Sequence, residues 1–281
     1  MRPIGVRWTI GDVSDNGWQA LRLAVLGAQH VFGTGARYAV AVNSVPLDAA
    51  RARLGDAAER VDWLAVTRDD VPATLRERFD DGMAEGVAWK LAPLRLFPNC
   101  WEVSLDNDCI LWEMPSGMRD WLERGHERQC LLAEDAVALY GQFAPFCVPE
   151  PRNAGIRGLP PGYPLEPTLA RLLGQVTATL SSELDEQGLQ VAAVSAYAPP
   201  AVVSIEDVTI CSPFPPHRPA LGRCGAHFVG LNARHFPWQL DGRYAEEHIQ
   251  DNWDRLRPEV DSLITPALQN RPSATRGPNL A

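Results

Sequence analysis

The chain reads as an α/β domain whose opening strands run parallel, and three observations lead there. A β-like run, Val6 to Ile10, is followed by a helical stripe from Gln19 to Val31 and then by a second uninterrupted β-like run, Tyr38 to Val42. The alternation repeats, with a helical segment from Leu47 to Arg60 and a third strand from Val61 to Thr67. Further on, the alternating run Trp101 to Leu105 enters an interior and ends in Asp106-Asn107-Asp108, with a second run, Cys109 to Trp112, directly behind it.

Taken in order, the stripe of Leu21, Leu23, Ala24, Val25, Ala28 and Val31 gives the first helix one apolar face, and Gly33 to Gly35 stops it. Ligands of open α/β sheets bind outside the carboxyl ends of the strands. The loop after the first strand, with Gly11 and Asp12, is therefore a candidate nucleotide contact, or else an ordinary polar loop; it is neither a GxGxxG nor a P-loop. Residues 69 to 88 are acidic and irregular, with a short helix expected over Pro72 to Arg78. Trp89 to Pro98 is expected as a helix, with Pro93 in its first turn or at a kink. Lys90 in it is either a solvated surface charge or a phosphate contact just before the Asp106 strand.

Met118 to Arg128 is expected as an amphipathic helix, Leu131 to Tyr140 as a helix or a strand, and Pro151 to Gly162 as a strand lined by small residues that let a ligand approach the backbone. Leu169 to Leu180 is expected to be helical. Ser182, three before Asp185, opens another helix in the manner of a capping box. Asp185, Glu186 and Gln187 are then either a favourable acidic first turn or groups that face a reacting centre. A polar helix is expected over Tyr244 to Leu256. Asn270 to Ala281, rich in Pro, Ser, Asn and Gly, reads as a flexible tail.

Two carboxylates with one residue between them, at the end of a buried strand, are costly to desolvate without a partner. A polar turn accounts for each Asp singly. A divalent cation accounts for both, because Asp-x-Asp offers two hard oxygen ligands to one Mg²⁺ or Mn²⁺ and leaves positions open for phosphate. His227, in Gly225-Ala226-His227-Phe228-Val229-Gly230, is a structural imidazole or a third ligand.

Composition bounds the rest. With 281 residues, 46% hydrophobic content and nine Trp, the chain has material for a large core. A net charge of −9 argues against nucleic acid and anionic membrane surfaces as partners. The six cysteines form no CxxC and sit mostly in apolar contexts, as reduced thiols of a cytoplasmic protein do. The opening MRPIGVRWTIGD has no hydrophobic signal region, and no apolar run approaches the roughly 20 residues of a membrane helix.

In this order, the loop after the first strand, the Lys90 segment, Asp106-Asn107-Asp108, Asn153-Ala154-Gly155, the acidic-Gln segment at 185–187, and His227 to Gly230 with Pro237-Trp238 resemble the nucleotide-sugar glycosyltransferases of the GT-A fold. Nearest is the retaining family 8 group, with glycogenin and the bacterial lipopolysaccharide galactosyltransferases. The resemblance spans roughly residues 4 to 240. It implies one Rossmann-like domain with a mixed, mostly parallel sheet over residues 1–261, divided at 111/112 into a nucleotide-sugar half and an acceptor half, with 262–281 as the tail.

The resemblance further implies a metal-dependent hexosyl transfer, from a UDP-sugar first among donors, with retention. The acceptor is a saccharide, a lipid-linked glycan or a small molecule. By resemblance Asp106, Asp108 and His227 hold Mn²⁺ or Mg²⁺; Lys90, Asn107 and Gly230 meet the donor's nucleotide and phosphates; Asn153, Ala154 and Gly155 line the sugar; and Asp185 or Glu186, with Gln187, sits beside the anomeric carbon. The family's Lys-Pro-Trp is interrupted here, so Arg234 stands in for its phosphate-binding lysine. Two other classes remain open at this point: a nucleotidyltransferase acting on sugar phosphates, which would release pyrophosphate, and a non-catalytic nucleotide-sugar-binding module.

Overall fold

A computed structural model describes residues 2–79, 87–176 and 179–269. Twelve strands are described: β1 (Ile4–Ile10), β2 (Arg37–Val42), β3 (Asp62–Ala65), β4 (Trp101–Leu105), β5 (Cys109–Leu111), β6 (Leu131–Glu134), β7 (Arg152–Leu159), β8 (Ala201–Val203), β9 (Val208–Ile210), β10 (Gly225–His227), β11 (Gln239–Leu240) and β12 (Arg243–Tyr244). The α-helices are α1 (Asp15–Phe32), α2 (Leu47–Leu54), the single turn α3 (Ala73–Arg76), α4 (Ser116–Arg124), α5 (Leu165–Leu173), α6 (Glu183–Val194) and α7 (Ala245–Gln269).

The central sheet has the order β3-β2-β1-β4-β7-β6-β8. β1 pairs in parallel with both β2 and β4, and β7 alone runs against its neighbours β4 and β6. The sheet is mixed and mostly parallel, as the sequence predicts. From β1 the chain winds outward through β2 and β3, then returns to add β4 on the other side, so the β1/β4 junction is a topological switch point. The β4 strand ends there, at Asp106. Helix α1 starts just beyond the adjacent end of β1, where the Ser14 hydroxyl accepts from the Gly17 N–H as an N-cap.

A second, smaller sheet, β5-β10-β9, stands beside this edge. β10 runs antiparallel to β5 with His227 opposite Cys109. That register is what carries a residue from late in the chain to the Asp106 turn. A large core gathers the β1 side chains Val6, Trp8 and Ile10 with the buried faces of α1 and α7, while a second core packs α5 and α6 against Leu132 and Leu159.

Several expected elements form differently. Trp89 to Pro98 is not a helix: one 3₁₀ turn, Val87–Leu91, ends before Pro93, which lacks an N–H and disfavours helical backbone at the residue before it. The amphipathic helix spans Ser116–Arg124 and stops at Gly125, short of Arg128. The helix expected over 169–180 lies earlier, at Leu165–Leu173, with Gly174 as its cap. Leu131–Glu134 resolves as a strand, and Gly55–Arg60 tightens to a 3₁₀ helix after α2. The last helix runs far past Leu256, to Gln269, because Ile249, Trp253, Leu256, Val260 and Ile264 keep one face buried. Of the expected tail, 262–281, residues 262–269 belong to α7, and 270–281 lie outside the described residues.

Candidate active site

Asp106 and Asp108 occupy the turn between β4 and β5, closed by the Cys109 N–H donating to the Asp106 carbonyl at 3.0 Å. The Phe228 N–H reaches the Asp108 carbonyl at 2.9 Å, fixing His227 against the same turn. The imidazole Nε2 lies 3.3 Å from Asp108 Oδ1 and 3.5 Å from Asp106 Oδ2. One ligand atom from each of the three side chains falls within 4.8 Å of the others. Asp108 Oδ1 is buried and accepts no well-formed hydrogen bond from the described residues. A buried carboxylate oxygen with only an imidazole at 3.3 Å beside it offers a coordination position to a cation. Two carboxylates and an imidazole are hard and borderline donors suited to Mn²⁺ or Mg²⁺, so the residues fit the ion the sequence predicts.

Charge at the site is tightly coupled. Burial works to raise the Asp106 pKa, but the Lys90 ammonium, 2.8 Å from Oδ2, and the His227 imidazole outweigh it and hold the carboxyl well below the usual range. For His227 burial lowers the pKa, and the two carboxylates beside the ring, Asp106 and Asp108, outweigh it, pushing it up to about 9. Burial pushes Glu186 up to about 7 against the pull of Lys90. Lys90 Nζ lies 3.9 Å from Glu186 Oε2 and so bridges two carboxylates.

These groups line one cavity of about 390 Å³. Of the residues singled out in the sequence, it gathers Lys90, Asp106, Asn107, Asp108, Asn153, Ala154, Gly155, Glu186, Gln187, His227 and Gly230. Within it the roles differ. A Cβ built on Gly155 would meet His227 Nδ1 at 2.6 Å and Asn153 Oδ1 at 2.8 Å, so the absent side chain makes room for the imidazole. Asn107 spends its amide on Asn232, donating to Oδ1 at 2.6 Å and accepting from Nδ2 at 3.0 Å. Gln187 Nε2 donates to the Leu139 carbonyl at 2.9 Å.

Four residues are placed elsewhere. Asp185 does not line the cavity: as the third residue of α6 its carboxylate accepts from the Gln142 N–H at 2.9 Å and the Ser181 N–H at 3.2 Å. The structure thus turns Glu186, not Asp185, to the cavity. Gly11 abuts Asn43. Asp12 and Arg234 pair with each other on the surface, at 2.6 Å and 3.1 Å, beside a second depression that Arg234 lines together with Gly230. Sequence reasoning missed Asn232, two residues after Gly230, and Phe236, both of which line the cavity. It also missed Arg157 and Gln190, which lie behind Glu186; a charged residue between apolar neighbours in the Pro151–Gly162 strand was the available signal.

The galactosyltransferase LgtC, solved with donor and acceptor sugar analogues, superposes with a TM-score of 0.54 at 13% identity over 96% of this chain and 98% of its own. The chain has the fold of the GT-A glycosyltransferases. The glycosyltransferase GlyE of Streptococcus pneumoniae TIGR4 gives a TM-score of 0.52 at 10% identity, over 98% of this chain and 66% of its own. Mouse xyloside xylosyltransferase 1 gives 0.50 at 13%, over 76% and 88%. No family model and no curated protein matches the sequence. None of the described helices is long and apolar enough to cross a membrane.

Proposed function

We propose that the chain is a divalent-metal-dependent glycosyltransferase that moves a hexose from a nucleotide-sugar, a UDP-sugar foremost, to an acceptor hydroxyl. One observation carries this reading: Asp106 and Asp108 of the β4–β5 turn and His227 of β10 come together in the lining of a cavity at the switch point of a glycosyltransferase fold. Asp106, Asp108 and His227 would hold Mn²⁺ or Mg²⁺, whose charge offsets that of the departing nucleoside diphosphate.

The chain's own side chains supply the rest. Lys90, ionised between Asp106 and Glu186, offers N–H donors to a phosphate oxygen entering beside Asp106. Gly230, at φ 92°, turns the loop after β10 along the cavity wall without a side chain in the way. Glu186 places a carboxylate where sugar hydroxyls and a cationic anomeric centre would lie, an electrostatic role that grows as charge develops. Asn153 and Ala154 close the sugar side. Retention follows from the resemblance to the retaining family 8 enzymes. The acceptor class stays open among saccharide, lipid-linked glycan and small molecule.

A thermal-shift panel of UDP-, GDP-, CDP- and dTDP-sugars, with and without Mn²⁺, tests the reading, because a ligand of the folded state raises Tm by mass action. A rise confined to one nucleotide class and dependent on Mn²⁺ is expected. No rise with any of them, metal present, contradicts it.

A further inference from the structure

Behind Glu186 lies a chain of buried polar groups that the site chemistry above does not use. Arg157 of β7 is 1% exposed, and Gln190 and Glu186, one turn apart on α6, are each 2% exposed. Arg157 Nη1 donates to Gln190 Oε1, and Gln190 Nε2 donates to Glu186 Oε1. We infer that Arg157 and Gln190 are positioning residues that fix the direction in which the Glu186 carboxylate meets the transferred sugar. The inference rests on the glycosyltransferase reading and adds to it a support for its sugar-facing group.

The direction follows from donor chemistry. A guanidinium has only N–H donors, so the atom of Gln190 that meets it must be the amide oxygen. The amide nitrogen is then turned the opposite way, to Glu186, and Oε1 of that carboxylate is committed as an acceptor. Oε2 is left to face Lys90 Nζ, 3.9 Å away, in the cavity. The spacing makes this local: residues four apart share a face of α6, and Arg157, two residues from Gly155 on β7, shares the face of the sheet beneath the cavity.

Stability alone is a poor account of the arrangement. Arg157 Nε and Nη2 are buried without hydrogen-bond partners among the described residues, and burying an incompletely satisfied cation is costly. The buried carboxylates of Glu102 and Glu186 face its charge, yet neither accepts a hydrogen bond from those two nitrogens. What the charge accomplishes is to hold one end of a relay whose other end is Glu186.

The test uses the full chain with Mn²⁺ and the UDP-sugar that the panel above selects. Gln190→Met keeps the volume and removes both hydrogen bonds. It is expected to lower kcat about tenfold while leaving donor KM and Mn²⁺ affinity within about twofold, a split that a merely structural role would not produce. Added to Glu186→Gln, it is expected to cost almost nothing more, because it acts only through that carboxylate. Where Gln190→Met does not fold, Gln190→Asn, too short to reach Glu186, gives the same reading. If the wild type binds its UDP-sugar without consuming it, the cycle is read on the ratio of UDP-sugar to UDP affinity. Wild-type kcat in Gln190→Met, or losses that multiply in the double variant, overturn the inference and leave the enzyme reading intact. A wild-type chain that neither binds nor consumes any nucleotide-sugar overturns both.

Discussion

The imidazole of His227 lies where a side chain on residue 155 would be: a Cβ on Gly155 would stand 2.6 Å from Nδ1 and closer still to Cε1. Strand β7 and strand β10 meet at this point, and the ring's approach to Asp106 and Asp108 depends on the bare Cα beneath it. Gly155→Ala should therefore displace the ring and weaken Mn²⁺ binding by roughly 10- to 100-fold, the usual cost of disturbing what orients a ligand. Calorimetric titration with Mn²⁺ checks this, with circular dichroism to show that the fold is kept; unchanged affinity would separate the two residues.

Asp108 should matter to turnover more than to folding. Its Oδ1 is buried beside the His227 imidazole at 3.3 Å, and Asp106 still faces the ring at 3.5 Å when Asp108 is removed, so the metal-free fold keeps one of the two carboxylates that hold it. Asp108→Ala is expected to reduce UDP-sugar consumption by about 10³-fold, equivalent to several kcal/mol of lost charge stabilisation. Activity near wild type with excess Mn²⁺ would refute the ligand assignment.

Metal binding should release a proton. His227, with its pKa pushed up to about 9 in the metal-free protein, is protonated at neutral pH and must become neutral to act as a ligand. Mn²⁺ affinity should rise about tenfold per pH unit from pH 6.5 toward 9 and level off above it. The stability of the metal-free protein should move the other way. A pKa raised above its unfolded value of 6.5 adds stability that is fully present below pH 6.5 and lost as pH rises through 9. Melting scans in EDTA should show Tm falling across that window, with added Mn²⁺ opposing the fall. A flat affinity profile between pH 6.5 and 9 contradicts this.

The surface pair Asp12–Arg234 ties the loop after β1 to the loop after β10 beside the second depression. Exposed pairs add little to stability, so neither Asp12→Ala nor Arg234→Ala should shift Tm appreciably. If Arg234 serves the donor phosphates it must leave Asp12 to do so. Asp12→Ala is then expected to tighten nucleotide binding and Arg234→Ala to weaken it, each effect shrinking as salt is raised. Equal nucleotide affinity in both variants would remove Arg234 from the donor site.

Much of this was legible in the sequence where the signal is local. The periodicities around β1, α1 and β2, and the two carboxylates ending an apolar strand, needed no tertiary information. His227 was found as a residue type; its nearness to Asp108 depends on the β5–β10 register, which no local pattern encodes. The choice between Asp185 and Glu186 was almost readable. With Ser182 as N-cap, residue 185 turns back on the cap and residue 186 swings to the adjacent face. The Lys90 segment reads as a helix from its apolar run, with Pro93 in a first turn or at a kink, whereas the backbone makes a single 3₁₀ turn before that proline. Arg157 and Gln190 escaped because a charged or amide side chain is ordinarily taken as surface, and their burial is set by the packing of α6 on β7.

The central claim is that Asp106, Asp108 and His227 together hold the cation that grips a nucleoside diphosphate. Diffraction from crystals grown with Mn²⁺ and UDP, with data at the manganese absorption edge, tests it most directly. One anomalous peak bonded to a carboxylate oxygen of each Asp, to His227 Nε2 and to the diphosphate is expected. A peak elsewhere, or UDP bound in the cavity with no ion between it and these three side chains, would contradict the account.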